Sequence, residues 1–180
     1  MKEYGDIEGQ CYCDDWMFFS WWENLIEITS ILEEKGLLDK YYVRAFFVHL
    51  YELIISGRNY VQYAKSWNER DIRYTQFEEL CKNIFEEITE AEFFMIHYYR
   101  NSACHIHLTK YSWLDKNKEL KSKKELFYKL DGAKYYLSQN EIMDIAKNII
   151  GEYGLGENLF KSKLFKRLSR LILKRNPFID

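Results

Sequence analysis

Along most of this chain apolar residues recur every three or four positions, the spacing that gathers them on one face of an α-helix. The plainest case is Phe77, Leu80, Cys81, Ile84, Phe85 and Ile88, a stripe from which Glu78, Glu79, Lys82, Glu86 and Glu87 stay clear. Val43, Phe46, Phe47, Leu50 and Ile54 mark another helix, read as Leu38 to Ser56 with Gly57 as its C-terminal stop. Ahead of it a first helix is expected from Asp14 or Asp15, either of which can cap free backbone N–H groups, to Lys35 before Gly36. Trp16, Phe18, Phe19, Trp21 and Trp22 crowd its early turns, and Leu25, Ile28 and Leu32 follow at core spacing. A helix apolar on more than one side is either deeply buried or covered by a partner chain.

Arg58 to Tyr74 reads as a polar connector with a short helix around Tyr60 to Trp67. Thr89 is placed to cap a fourth helix running from Glu90 to His107. The pattern then fails between Thr109 and Lys124, where Lys110, Lys116, Lys118, Lys121, Lys123 and Lys124 accumulate, and an exposed loop is expected. A short helix over Ser122 to Leu130 ends at Asp131-Gly132. Ser138-Gln139-Asn140-Glu141 is a capping box that opens a helix reaching Glu152. Gly151, Gly154 and Gly156 break the chain before a last helix from Glu157 to Arg175, which stops at Asn176-Pro177. Its apolar face holds Phe160, Leu164, Leu168, Leu171 and Ile172, and Lys161, Lys163, Lys166, Arg167, Arg170 and Lys174 surround the rest.

Composition sharpens the fold class. One proline and eight glycines in 180 residues are too few turn-formers for a many-stranded sandwich or barrel. The expectation is an all-α antiparallel bundle of about five to seven helices, a single domain over residues 1–180. Its core bundle falls at about 14–108, the lysine-rich loop at about 109–124 and the C-terminal helices at about 125–176.

The net charge of −2 conceals an asymmetry: residues 1–40 hold 3 basic and 10 acidic groups, whereas residues 101–180 hold 16 basic and 9 acidic ones. Either the two ends pack against each other, or the basic end draws a polyanion such as RNA. Cys11, Cys13, Cys81 and Cys104 have no spacing that builds a disulfide framework or a tetrahedral zinc site, so reduced thiols and no bound metal or other cofactor are expected. The first residues lack the basic start and apolar run of a signal peptide, and no later stretch is apolar for long enough to span a bilayer, so a cytoplasmic protein without a membrane partner is expected.

Of four histidines, His97, His105 and His107 lie within eleven positions, beside Arg100. At about 100° per residue His97, Asn101 and His105 share a helical face, whereas Arg100 projects about 140° away from His105. For both to serve one phosphate, the arginine must curl around the helix, or two chains must pair across it. The residue types suit RNA cleavage. Attack of a ribose 2′-hydroxyl on phosphorus needs a base that titrates near neutrality, which His105 supplies, and a bidentate donor for the phosphate oxygens, which Arg100 supplies. Asn101 can orient the imidazole or hold a phosphate oxygen, while His107 and His97 are accessory candidates.

The run Arg100-Asn101-Ser102-Ala103-Cys104-His105 resembles the motif of HEPN ribonucleases, an Arg followed after four to six residues by His, often with a polar residue directly after the Arg. The resemblance is carried by the helix around the motif. It implies a small helical bundle in which two copies face each other, with Arg100, Asn101 and His105 cleaving RNA without metal to leave a cyclic phosphate. It also implies a toxin or phage-defence setting with an antitoxin or other regulatory protein as partner. The subgroup paired with a nucleotidyltransferase antitoxin carries Tyr two residues beyond the motif His, where this chain has His107.

Lys110, Lys161, Arg167 and Arg170 are the expected RNA contacts outside the motif. Two other readings start from the same residues. One is a non-catalytic HEPN-like module that binds RNA or a protein partner. In the other, the basic and Phe/Leu faces of the last helix lie on an anionic membrane surface, although the same stripe is expected of a helix docked on the core.

Overall fold

The computed structural model describes residues 5–64, 72–104, 109–111 and 135–174, with side chains described over 20–54, over 75–102 apart from Glu78, and over 137–174. These form an all-α bundle of six described helices: α1 (Gly5–Lys35), α2 (Lys40–Ala64), α3 (Ile72–Glu87), α4 (Glu90–Cys104), α5 (Gln139–Glu152) and α6 (Glu157–Lys174). Two three-residue strands, β1 (Thr109–Tyr111) and β2 (Tyr135–Leu137), pair antiparallel with Lys110 opposite Tyr136.

The periodic stripes become the core. From Phe77 to Ile88 every member of the α3 stripe is buried, as are Phe46, Phe47, Leu50, Leu53 and Ile54 of α2. Aromatic rings join the helices pairwise: Trp22 of α1 meets Phe77 of α3 edge-on at 5.2 Å, Phe46 of α2 meets Phe165 of α6 at 5.0 Å, and Phe85 of α3 meets Phe93 of α4 at 5.8 Å. Helix α2 packs on α1, α3 and α4, and α6 closes over α1 and α3. Tyr51 of α2 faces both Phe93 and His97 while Phe47 faces Tyr99, so α2 and α4 run antiparallel.

The ends of the helices follow local chemistry. Gly36 takes a positive φ of 76° and its N–H reaches the Leu32 carbonyl at 2.9 Å, a left-handed stop for α1. Asp39 then accepts the Tyr41 N–H at 2.8 Å and starts α2. Thr89 caps α4: its Oγ1 accepts the Glu92 N–H at 3.1 Å, while the Glu92 carboxylate accepts the Thr89 N–H at 2.9 Å. Ser138 and Glu141 form the same reciprocal pair at the start of α5.

Several boundaries differ from expectation. Helix α1 begins at Gly5, well before Asp14, so neither Asp14 nor Asp15 caps it. Helix α2 continues through Gly57 to Ala64. A glycine inside a helix costs only about 1 kcal/mol relative to alanine, too little to end a helix by itself. The stretch after Thr109 opens with a strand, because a three-residue strand is too short for alternation to show. The expected connector Arg58 to Tyr74 is helical at both ends, in α2 as far as Ala64 and in α3 from Ile72, while its residues 65–71 and the short helix expected over Ser122 to Leu130 lie outside the described residues.

Candidate functional site

The polar residues of the motif sit at the C-terminal end of α4, where its aromatic buried face gives way to a hydrogen-bonded cluster. His97 and Asn101 are both buried, and their side chains meet at 2.8 Å across one turn of the helix, as i, i+4 spacing requires. Arg100 curls around the helix and donates from Nη1 to Asn101 Oδ1 at 3.0 Å. With Oδ1 receiving the guanidinium, the Asn101 amide nitrogen faces His97 and donates to Nε2. That ring nitrogen is therefore the acceptor, and the proton of the neutral imidazole belongs on Nδ1.

Helix α2 fixes the arrangement from the opposite side. Glu52 Oε1 receives two donors of Arg100, Nη2 at 2.8 Å and Nε at 3.2 Å. The ring of Tyr51 stacks on His97 with centroids 4.8 Å apart and planes 15° from parallel, and the guanidinium carbon of Arg100 lies 5.4 Å from the same ring. The pair is half-buried, with side-chain exposures of 23% for Arg100 and 25% for Glu52, so its attraction is partly shielded from water. An arginine has five N–H donors, three of which are engaged here, leaving two for a further acceptor.

One turn before Glu52, His49 lies against Trp21 of α1, the ring centroids 4.4 Å apart, and its Nδ1 is buried with no hydrogen-bond partner. Burial pulls the His49 pKa below 6.5, and the Glu52 carboxylate opposes that shift only in part. On the flank of α4, burial raises the phenol pKa of both Tyr98 and Tyr99, and the nearby Glu157 carboxylate raises it further. The Tyr99 hydroxyl is buried without a partner, and the Lys161 ammonium sits 4.5 Å from the centre of its ring.

Arg100, Asn101 and His97 are thus brought into one connected unit through the Asn101 side chain, whereas the offset of about 140° expected between Arg100 and His105 concerns a residue outside the described ones. His105 and His107 lie outside the described residues; α4 is described as far as Cys104, the residue before His105. Lys110 falls in β1, with its side chain outside the described set. Lys161 pairs with Glu157 at 2.6 Å, and Arg167 pairs with the buried Glu92 carboxylate, so both of these expected RNA contacts are engaged within the protein. Arg170 is exposed and lines an open groove with Glu33, Lys166 and Leu173.

Tyr51, Glu52 and His49 were not among the sequence candidates. One signal pointed to them: Glu52 is the single acidic residue of α2, set among apolar neighbours, and His49 is the histidine one turn before it. Among the described residues no three His, Cys, Asp or Glu side chains are grouped as metal ligands would be, and no helix is long and apolar enough to cross a membrane. No family model, curated protein or solved structure matches this chain.

Proposed function

We propose that this protein is a metal-independent endoribonuclease of HEPN type, of the toxin or phage-defence kind, working where two copies of α4 face each other. The observation that carries the reading is the Arg100–Asn101–His97 relay, gripped from α2 by Glu52 and Tyr51. Polar side chains buried in an aromatic bundle contribute less to stability than apolar residues of the same size, so a fully connected set at the end of a helix points to a task other than packing.

In this reading the two remaining N–H donors of Arg100 take a non-bridging oxygen of the scissile phosphate. His105 removes the proton from the ribose 2′-hydroxyl as O2′ bonds to phosphorus. The P–O5′ bond breaks, the 5′-oxygen takes a proton from His107 or water, and a 2′,3′-cyclic phosphate is left. Asn101 keeps the guanidinium turned toward the His105 face, and His97 holds Asn101. His97 is therefore a positioning residue.

Glu52 favours a second reading, because its carboxylate already neutralises Arg100 and occupies two of its donors. A module that binds RNA or a protein partner without cleaving it keeps such a pair intact. Purified wild type and His105→Ala, incubated with total RNA in EDTA, separate the two. Nuclease action predicts shortened RNA with cyclic phosphate ends from the wild type alone. RNA left whole by both, yet retained on a filter by both, supports the binding module.

A further inference from the structure

We infer that α6 carries a separate strand-tracking surface for the phosphate backbone of single-stranded RNA, made by Lys163, Lys166, Arg170 and Lys174. All four are exposed, and none has an ion-pair partner among the described residues. Their intervals of three, four and four residues keep them within about 80° of one another around the helix axis. From Lys163 to Lys174 the ridge runs about 16 Å at 1.5 Å per residue. After Glu157 the helix contains no acidic residue. Glu33 of α1 is the acidic group of the adjoining groove, and its carboxylate receives the Ser169 hydroxyl. The charge is therefore concentrated on a rigid line, since the opposite face of the same helix is locked in the core by Phe160, Leu164, Phe165, Leu168 and Ile172.

The two cations nearest the core are used differently. Lys161 is held over Tyr99 and by Glu157, and Arg167 by Glu92, so α6 divides its basic residues between internal pairing and an unneutralised ridge. Those same contacts orient the ridge. Lys161 stands level with Tyr99 and Arg167 level with Glu92, so α6 runs antiparallel to α4, and the ridge begins near the level of Arg100 and extends away from it. Spacings of about 4.5–6 Å between successive cations suit a flexible phosphate chain, which can place one charge against each. The inference rests on the RNA reading above for the identity of the polyanion, but it requires binding only, not cleavage.

The test is the salt dependence of binding of a fluorescent, non-cleavable 2′-O-methyl oligonucleotide to the full chain. Each phosphate neutralised on a single strand contributes about 0.7 to the slope of log K against log salt. Replacing Lys163, Lys166, Arg170 and Lys174 together by Gln is expected to lower that slope by about 3. The affinity of the wild type then falls about 50-fold more than that of the variant between 50 and 200 mM salt. A control variant with Lys40, Arg44, Lys82 and Lys147 changed to Gln loses the same charge at other exposed positions, and its slope is expected to stay at the wild-type value. Equal loss of slope in both variants, or no loss in the ridge variant, overturns the inference. So does an absence of RNA binding together with flotation on vesicles containing anionic lipid that the ridge variant abolishes. If the wild type binds through the ridge but natural RNA stays whole in EDTA, the nuclease reading fails while the ridge stands.

Discussion

Replacing Asn101 by Ala tests whether the relay at the end of α4 is one connected unit. The change removes the acceptor of Arg100 Nη1, a charge-assisted bond at 3.0 Å, and the donor to His97 Nε2 at 2.8 Å. The first contributes about 1.5 kcal/mol and the second about 1 kcal/mol, and a stranded buried ring nitrogen adds a desolvation cost. The expected loss is about 3 kcal/mol, which in a chain of this length lowers Tm by about 6–12 °C. Urea unfolding followed by far-UV circular dichroism measures it. His97→Phe, which keeps a ring stacked on Tyr51, makes the second arm of a double-mutant cycle. With the stranded acceptor gone, Asn101→Ala should cost about 1 kcal/mol less in that background than in the wild type. A loss below about 0.5 kcal/mol for Asn101→Ala, or additive losses around the cycle, refutes the relay.

Glu52→Gln keeps an acceptor for Arg100 and removes the charge that competes with phosphate; RNA affinity, measured by fluorescence anisotropy, should rise about fivefold, equivalent to about 1 kcal/mol. The His49 pKa is lower folded than unfolded, so the unfolded chain binds the proton first: its contribution to stability is complete above pH 6.5 and declines as pH falls below that. Urea midpoints at pH 7.5 and 5.5 should therefore differ less for His49→Phe, which can still stack on Trp21, than for the wild type. Arg167→Leu leaves the buried Glu92 carboxylate with only the Thr89 N–H, at a cost of about 3 kcal/mol by chemical denaturation. Adding Glu92→Gln, which preserves the cap but not the charge, should restore most of it.

The helices were legible because their cause is periodic. The stripes of α2, α3 and α6 name buried residues directly, and the Ser138 capping box marks the start of α5 to the residue. What was not legible depends on partners distant in sequence. Gly57 looks like a helix stop to any local rule, yet α2 runs past it to Ala64. Arg167 and Lys161 read as free surface cations until α4 supplies the Glu92 carboxylate and the Tyr99 ring.

The candidate site shows the same division. That His97 and Asn101 share a face follows from four-residue spacing, and in the structure their side chains meet. That Arg100 reaches their face follows only from side-chain geometry, and that Glu52 and Tyr51 complete the set follows only from the antiparallel packing of α2 on α4, which places residues 48 positions apart in contact. A lone carboxylate in an otherwise apolar stretch was the one trace of it in the sequence.

The most direct measurement is the rate at which a labelled single-stranded RNA is cut in EDTA by the wild type, Arg100→Ala and His105→Ala, each checked for native circular dichroism. Loss of a phosphate donor or of the general base should slow cutting by about 100-fold or more in either variant. Cutting by all three at one rate, or by none of them, would contradict the account.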